Sequence, residues 1–252
     1  MALVLFNVAG TAVLGWYVWS GRNAARLRFV RLRWSHIASI FSVGAWSSIS
    51  SVQTNVIIAL ATALAASIAG ADAVAGYGTG ALLIPLVFGL GAPLVAMVGT
   101  NIGAGQRQRA LRIGLAGGAI AFALTEAIGV ATALWPHASL SLFSSDAHVI
   151  EAGSAYLRVV GPFYGFYGLG LALYFASQGA GRLFWPLMAG FLRMAIAVGG
   201  GYLAVRLTGS LTWLFAALAL GLLLQGTSVL AAIMAGAWFG REDRFKRSNA
   251  PP

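Results

Sequence analysis

Glu126 is one of the few side chains in this sequence that could do chemistry inside a long apolar stretch. It lies in the middle of residues 111–135, 14 residues after Arg112, which corresponds to about 21 Å along a helix axis. A carboxyl group at membrane depth is costly and is a functional candidate by default. Two interpretations stay open: coupling to a proton or cation, or a structural hydrogen bond between helices.

A polar patch at Gln53, Thr54 and Asn55 interrupts another apolar stretch. Unsatisfied amides cost several kcal/mol in hydrocarbon, so these side chains must face protein or a water-filled cavity. Their types therefore predict either a cavity wall or hydrogen bonds within a helix bundle.

Aromatic side chains recur between residues 152 and 178, where Tyr164 and Tyr167 have the spacing of one helix face. Aromatic faces attract flat organic cations. The pair is thus a candidate for contact with a solute, with core packing as the alternative.

Other chemistries find no support in the residue types. The sequence has no cysteine, and the spacing of His36, His137 and His148 is not that of metal ligands. It contains no phosphate-binding loop with the GK[ST] ending, so direct use of ATP is not expected. We therefore expect no catalytic residue, no metal site and no enzyme.

The elements that must position these residues follow from composition. Only 9% of the 252 residues are charged and 59% are hydrophobic, whereas soluble domains carry roughly 25% charged residues. A soluble globule and a disordered chain are both excluded. A bilayer-spanning helix needs about 20 apolar residues, and the apolar stretches are 2–19, 37–69, 73–103, 111–135, 152–178, 183–205 and 211–239. The prediction is an all-α polytopic membrane protein.

The basic residues predict its orientation. Of the 16, 13 fall in alternate connections or the tail: residues 22–33, 107–112, 182 and 241–247. Basic residues accumulate on the cytoplasmic side of membrane proteins, so we expect a cytoplasmic C-terminus. This distribution also argues against a nucleic-acid partner. The stretch 22–34 is either an amphipathic contact with anionic lipid or a plain connector.

Three segments resemble the MATE (multidrug and toxic compound extrusion) family. They are residues 70–112, which contain GTNIGAG, then LFSSDAHVIEAGSAYLRVVGPF at 142–163, and QGAGR at 178–182. Their order and spacing agree with the family over roughly residues 37–240. The motif positions we assign from the resemblance are Asn101, Gly103, Gly105, Arg158, Gln178 and Arg193. We interpret both arginines as structural, with Arg158 reaching the outer interface and Arg193 satisfying carbonyls or snorkelling.

The resemblance implies a domain layout. Members have two six-helix lobes with a substrate cavity between them. Here residues 1–20 correspond to the last helix of a missing N-terminal lobe, 21–36 to a basic cytoplasmic linker, 37–240 to the six-helix C-terminal lobe and 241–252 to a cytoplasmic tail. Some branches carry carboxylates at positions that fall near Gln53, Thr54 and Tyr167 here, none of which is acidic. The coupling site is therefore expected in the N-terminal lobe.

The function implied is secondary active efflux of xenobiotics or organic cations across the plasma membrane. The coupling ion is H⁺ or Na⁺, and no other cofactor is expected. Expected partners are membrane lipid, a small amphiphilic or cationic substrate, and a separate N-terminal lobe or a second copy. Two alternatives stay open: a non-transporting membrane fragment or subunit, and a related flippase for lipid-linked or polysaccharide substrates.

Overall fold

The computed structural model describes residues 2–20, 34–81 and 91–239, and every element in these ranges is helical. The elements are α1 (Ala2–Trp19), α2 (Trp34–Ala81), α3 (Gly91–Gly103), α4 (Arg107–Leu134), α5 (Pro136–Leu140), α6 (Ala147–Val160), a 3₁₀ turn (Gly161–Phe163), α7 (Tyr164–Gly179), α8 (Phe184–Met194), a π-helical segment (Ala195–Gly200), α9 (Gly201–Thr208) and α10 (Leu211–Met234). Most of the expected linker, 21–36, and the expected tail, 241–252, lie outside the described residues.

Five described stretches are long and apolar enough to cross a membrane: Gly44–Gly78, Arg107–Leu134, Ala147–Gly179, Phe184–Thr208 and Leu211–Met234. This confirms the expected all-α membrane fold. A shorter apolar helix, Val4–Trp19, lies near the N-terminus. The apolar stretch 73–103 was expected to be one span. Its described parts belong to two helices, because α2 continues to Ala81 and α3 begins at Gly91.

The expected break between the second and third apolar stretches is a kink within α2. Ala69 leaves the helical region with φ −134° and ψ 20°, and Gly70 follows with φ 67° and ψ −149°. A side chain would be strained at that positive φ, so glycine suits the position. As one straight helix, the 48 residues of α2 would extend about 72 Å, against a hydrocarbon core of about 30 Å.

The chain divides into two compact units, Met1–Phe41 and Ser42–Pro252. The first contains α1 and the start of α2. The second contains the core, which has one buried cluster around Tyr156, Tyr164 and Phe215 and another around Leu173 and Trp238.

Helix α7 organises the second unit because three helices approach its backbone. A Cβ atom at Gly168 would collide with Thr125 of α4, and one at Gly179 would collide with the carbonyl oxygen of Val95 on α3. On α10, a Cβ at Gly226 would collide with the carbonyl oxygen of Phe166. Small residues permit such close packing in membranes, where the hydrophobic effect does not drive helix association.

Candidate solute cavity

A cavity of about 410 Å³ opens between α2, α7, α8 and α10 in the second unit. Its α2 wall consists of Ser47, Ser50, Ser51, Gln53, Thr54, Asn55 and Ile57. The other walls consist of Tyr167, Leu171, Tyr174, Phe175 and Gln178 on α7, Pro186, Gly190 and Arg193 on α8, and Gln225 on α10. Polar and aromatic groups thus face one another across it.

The polar groups on α2 bond to their own helix. Ser51 Oγ donates to the Ser47 carbonyl at 3.2 Å, Thr54 Oγ1 to the Ser50 carbonyl at 3.1 Å, and Asn55 Nδ2 to the Ser51 carbonyl at 2.8 Å. Such back-bonding lets hydroxyl and amide groups lie within an apolar helix without orphaned donors. Their remaining acceptor capacity gives α2 a hydrophilic face toward the cavity.

Gln53 is the exception on that wall. Only 6% of its surface is exposed, and its Nε2 has no hydrogen-bond partner among the described residues. A Cβ atom at Gly190 would collide with Gln53 Oε1, so the glycine on α8 makes room for this amide. A buried donor without an acceptor costs about 1–3 kcal/mol, which a water or solute oxygen in the cavity would offset.

Arg193 lies on the opposite wall, held between α7 and α10. Its Nη1 donates to Gln225 Oε1 at 3.1 Å, and its Cζ lies 5.2 Å from the centroid of the Tyr167 ring. Gly221, one turn before Gln225, leaves space for the side chain, because a Cβ there would lie 3.3 Å from Arg193 Cγ. The guanidinium is therefore bonded inside the bundle, which differs from the expected snorkelling.

Arg193 is the one charged side chain among the described residues that line the cavity. The described acidic residues are Asp72, Glu126, Asp146 and Glu151, and none of them belongs to the lining. Counting nine residues from the start of its span at Phe184, Arg193 lies about 14 Å along the helix axis, within the hydrocarbon region of a spanning helix. The cavity therefore has positive polarity at membrane depth.

The structure brings together several residues singled out in the sequence. Gln53, Thr54, Asn55, Tyr167, Gln178 and Arg193 all line the cavity. Gln178 Nε2 donates to Ser47 Oγ at 3.2 Å, which links α7 to α2. Tyr164, expected at a cavity, instead lies 2% exposed in the core cluster, one turn before Tyr167, where the lining of α7 begins.

Glu126 lies on α4, away from the cavity lining. Its Oε2 accepts a 2.7 Å hydrogen bond from the backbone N–H of Gly165, near the start of α7. Gly165 and Tyr167 are two residues apart and so point to opposite sides of α7. The helix itself therefore stands between this carboxyl group and Arg193.

The remaining motif residues belong to helix ends. Asn101 Nδ2 donates to the Met97 carbonyl at 2.7 Å. Gly105 has φ +74° in the turn from α3 to α4, whereas Gly103 has open space around it. Arg158 is exposed on α6.

Sequence reasoning missed two parts of the cavity. Ser47, Ser50 and Ser51 were not singled out, although their three- and four-residue spacing places them on one helix face with Thr54. Gln225 was overlooked, although an amide within an apolar stretch is itself a signal for a polar partner. In the described ranges, no three His, Cys, Asp or Glu residues group as metal ligands.

One family model and two curated relatives each match more than half of this chain. The family model MatE matches residues 47–203. The probable multidrug resistance protein NorM of Thermotoga maritima is 25% identical over 199 residues, covering 76% of this chain and 42% of that protein. The FAD transporter of Shewanella oneidensis is 28% identical over 179 residues, covering 69% of this chain and 38% of that protein. The chain thus spans less than half the length of these relatives.

Solved structures agree with the fold. A MATE transporter in complex with MaL6 superposes with a TM-score of 0.81 at 18% identity, covering 90% of this chain and 54% of that one. A MOP superfamily transporter from Pyrococcus furiosus, described as having a binding pocket of reverse polarity, superposes with a TM-score of 0.82 at 20% identity. It covers 95% of this chain and 56% of that one.

Proposed function

Because the chain belongs to the MATE family of membrane transporters, we propose that it forms one lobe of a secondary active exporter. In this proposal the exporter exchanges a small amphiphilic xenobiotic for H⁺ or Na⁺ across the plasma membrane. The relatives are transporters and not enzymes, which supports transport as the activity.

The cavity is the observation that carries this proposal. It lies among membrane-length helices, and its volume of about 410 Å³ falls within the roughly 300–1,000 Å³ typical of small-molecule sites. Tyr167 and Tyr174 add aromatic surface, and the α2 wall adds hydrogen-bonding groups. Polar groups at membrane depth commonly belong to substrate or ion pathways.

We place the coupling site outside this lobe. No described acidic residue lines the cavity, and Glu126 is bonded to a backbone N–H on the far side of α7. The chain spans less than half of its relatives' length. We therefore propose that a separate N-terminal lobe, or a second copy of this chain, completes the passage and supplies the H⁺ or Na⁺ site.

The charge of the substrate is the finer question. The resemblance implies organic cations, and aromatic rings in the cavity suit them. Arg193, however, would repel a cation within the same cavity, since like charges at close range in a medium of low dielectric constant are costly. The aromatic surface supports a flat amphiphile, and the guanidinium argues against a positive charge on it.

Vesicle transport tests the proposal. The chain is expressed alone and together with the N-terminal lobe of a MATE relative, and vesicles with an imposed H⁺ or Na⁺ gradient are given ethidium, riboflavin or flavin mononucleotide. We expect gradient-dependent movement of at least one of the three solutes in the two-lobe vesicles, and none in empty ones. Co-purified lobes that move none of the solutes under either gradient would contradict transport and favour a non-transporting membrane subunit.

A further inference from the structure

The cavity presents more hydrogen-bond donors than the protein provides acceptors for. A guanidinium has five N–H groups in a planar fork, and the hydrogen bond found for Arg193 is the one to Gln225 Oε1. Across the cavity, the buried Nε2 of Gln53 has no acceptor. An entering solute could therefore supply acceptors to the further N–H groups of Arg193 and to the Gln53 amide.

The charge of Arg193 is also uncompensated within the cavity. A positive charge removed from water requires an opposing charge or a strong set of acceptors. The acidic residues of the described chain are absent from the lining, and α7 separates Glu126 from it. Tyr167 contributes its ring face, which attracts the cation but carries no opposing charge.

The packing holds the guanidinium in place for recognition. The side chain passes over Gly221, bonds to Gln225 and stacks on Tyr167, so three contacts from two helices fix its direction. The π-helical segment Ala195–Gly200 begins two residues after Arg193. Such segments are rare and occur frequently at functional sites. A fixed planar fork matches the two oxygens of a carboxylate or phosphate.

We propose that this cavity recognises the acidic group of an aromatic organic anion through Arg193, with its ring system against the Tyr174 side of α7. The proposal rests on the transport function above and narrows its amphiphilic substrate to an organic anion, in place of the organic cation that the resemblance implies. The anionic group compensates the positive charge of Arg193. Its oxygens accept hydrogen bonds from Arg193 and from Gln53.

Flavin mononucleotide and riboflavin are the probes, because they share one ring system and differ by a phosphate. The full chain is placed in nanodiscs of phosphatidylcholine, and binding of each flavin is measured by fluorescence anisotropy. We expect the phosphate to increase affinity by about tenfold or more, as for a charge-assisted hydrogen bond. Ethidium is expected to bind more weakly than either flavin.

Three variants test whether the tighter binding of flavin mononucleotide depends on Arg193. Arg193→Gln removes the charge and is expected to bind both flavins equally. Arg193→Lys keeps the charge without the planar fork and is expected to retain part of the difference. Gln225→Glu leaves the arginine in place but supplies a carboxylate partner from the residue that it already contacts at 3.1 Å, so it is expected to abolish the preference in a folded protein.

Arg206→Gln is the matched control. Arg206 also stacks on a tyrosine, with its Cζ 5.5 Å from the Tyr202 ring, and lies in the same membrane span, but it is exposed and outside the cavity. It is expected to leave the preference unchanged. Equal affinities for the two flavins in the unmodified chain, tighter binding of ethidium, or the same loss in the Arg206 variant would overturn the proposal.

Two further measurements distinguish a solute anion from a bound lipid headgroup and from transport of a cation. Nanodiscs that contain phosphatidylglycerol test whether a lipid headgroup occupies the cavity; loss of flavin mononucleotide binding there would overturn a solute anion as the occupant. Gradient-driven transport of ethidium by two-lobe vesicles, without the phosphate preference, would refute the anion inference and leave transport intact. The phosphate preference without any flux would refute transport alone.

Discussion

Glu126 and Arg193 lie on opposite sides of α7 and interact with different kinds of partner. The carboxyl group accepts from the Gly165 N–H, which belongs to the first turn of α7, where N–H groups lack partners within the helix. The dipole of a helix also favours negative charge at its N-terminus. Glu126 therefore caps α7 from a neighbouring helix, which favours the structural interpretation of this residue.

Substitution of Glu126 tests that interpretation. Glu126→Gln keeps an oxygen that can accept from Gly165 and is expected to preserve most of the flux and the melting temperature. Glu126→Leu leaves a buried N–H without a partner and is expected to cost about 1–3 kcal/mol of unfolding free energy. Melting of the purified variants in detergent measures the stability, and vesicle transport measures the flux.

Glu151→Gln is the control for the loss of one acidic residue, because Glu151 is exposed on α6. It is expected to behave like the unmodified chain. A Glu126→Gln protein that inserts and melts normally but transports without a gradient requirement would instead identify Glu126 as the coupling residue.

Residue type predicted part of the cavity and missed the rest for a physical reason. An amide in an apolar stretch has to find a polar neighbour, so Gln53 and Asn55 could be singled out without a structure. The environment of Arg193 could not, because Tyr167 and Gln225 reach it only through the packing of α7, α8 and α10. Tyr164 shares a helix face with Tyr167 but lies one turn earlier, in the core cluster, and periodicity alone does not distinguish the two environments.

Among the elements, α7 depends on glycine at four positions. Its glycines at 165 and 168 face α4, Gly170 faces α10 and Gly179 faces α3. Each permits a neighbouring backbone or short side chain to approach closely. A helix packed in this way loses its contacts if a methyl group is inserted, because protein interiors have few voids to absorb it.

Gly168→Ala tests this dependence. Its Cβ would collide with Thr125 and lie 2.8 Å from the Ala121 carbonyl oxygen, so α4 and α7 have to separate. We expect a loss of about 1–3 kcal/mol in unfolding free energy, as for overpacked cores. The measurement is thermal unfolding followed by circular dichroism in a fixed detergent.

Gly44→Ala is the matched control on α2, since nothing lies within 4 Å of its added Cβ. Alanine is favoured over glycine in helices by up to about 1 kcal/mol, so this variant is expected to be neutral or more stable. Equal destabilisation by both substitutions would show that the α4–α7 contact does not limit stability.

The sequence located the elements more accurately than their internal irregularities. Long apolar stretches predicted α4 and α10, and the glycine and aspartate at 70–72 predicted an interruption that the structure shows at Ala69 and Gly70. The π-helical segment was not foreseen, because the residues of Ala195–Gly200 also suit an ordinary helix. The segment packs against α10, a contact that local composition does not reveal.

At the scale of the whole molecule, the charges in the connecting turns predict which side of the membrane each turn faces. Labelling can test this prediction. The turn before α4 is flanked by Arg107, Arg109 and Arg112, whereas the turn before α6 contains Asp146. With basic residues retained in the cytoplasm, Ser144→Cys is expected to react with an impermeant maleimide in intact cells. Gln106→Cys is expected to react only after the membrane is permeabilised.

The chain suits this measurement because it contains no cysteine of its own. Both positions are exposed or half-buried in turns, so neither substitution disturbs the core. Labelling of both cysteines from the same side would contradict the proposed orientation, including the cytoplasmic C-terminus that follows from it.

Family membership could be predicted from the sequence, but the complete passage could not. The order of three motifs indicated a MATE lobe, and the MatE match over residues 47–203 confirms it. The N-terminal lobe or second copy that we propose as the partner left no signal that could be interpreted, because side chains that contact another protein resemble ordinary polar surface. Arg193 shows the same difficulty, since its family position gave no indication that it lines the cavity.

In the proposed topology, the backbone break at Gly70 also sets the sidedness of everything that follows it. In a chain that crosses back and forth, each reversal decides which compartment receives the next loop. A side chain at this position would strain the φ of 67° that interrupts α2. If the two halves of α2 formed a single membrane crossing, every later loop would face the opposite compartment. The arginines at the start of α4 would then have to cross the hydrocarbon core. In that topology, the absence of a side chain at position 70 therefore preserves the orientation of the four long helices that follow.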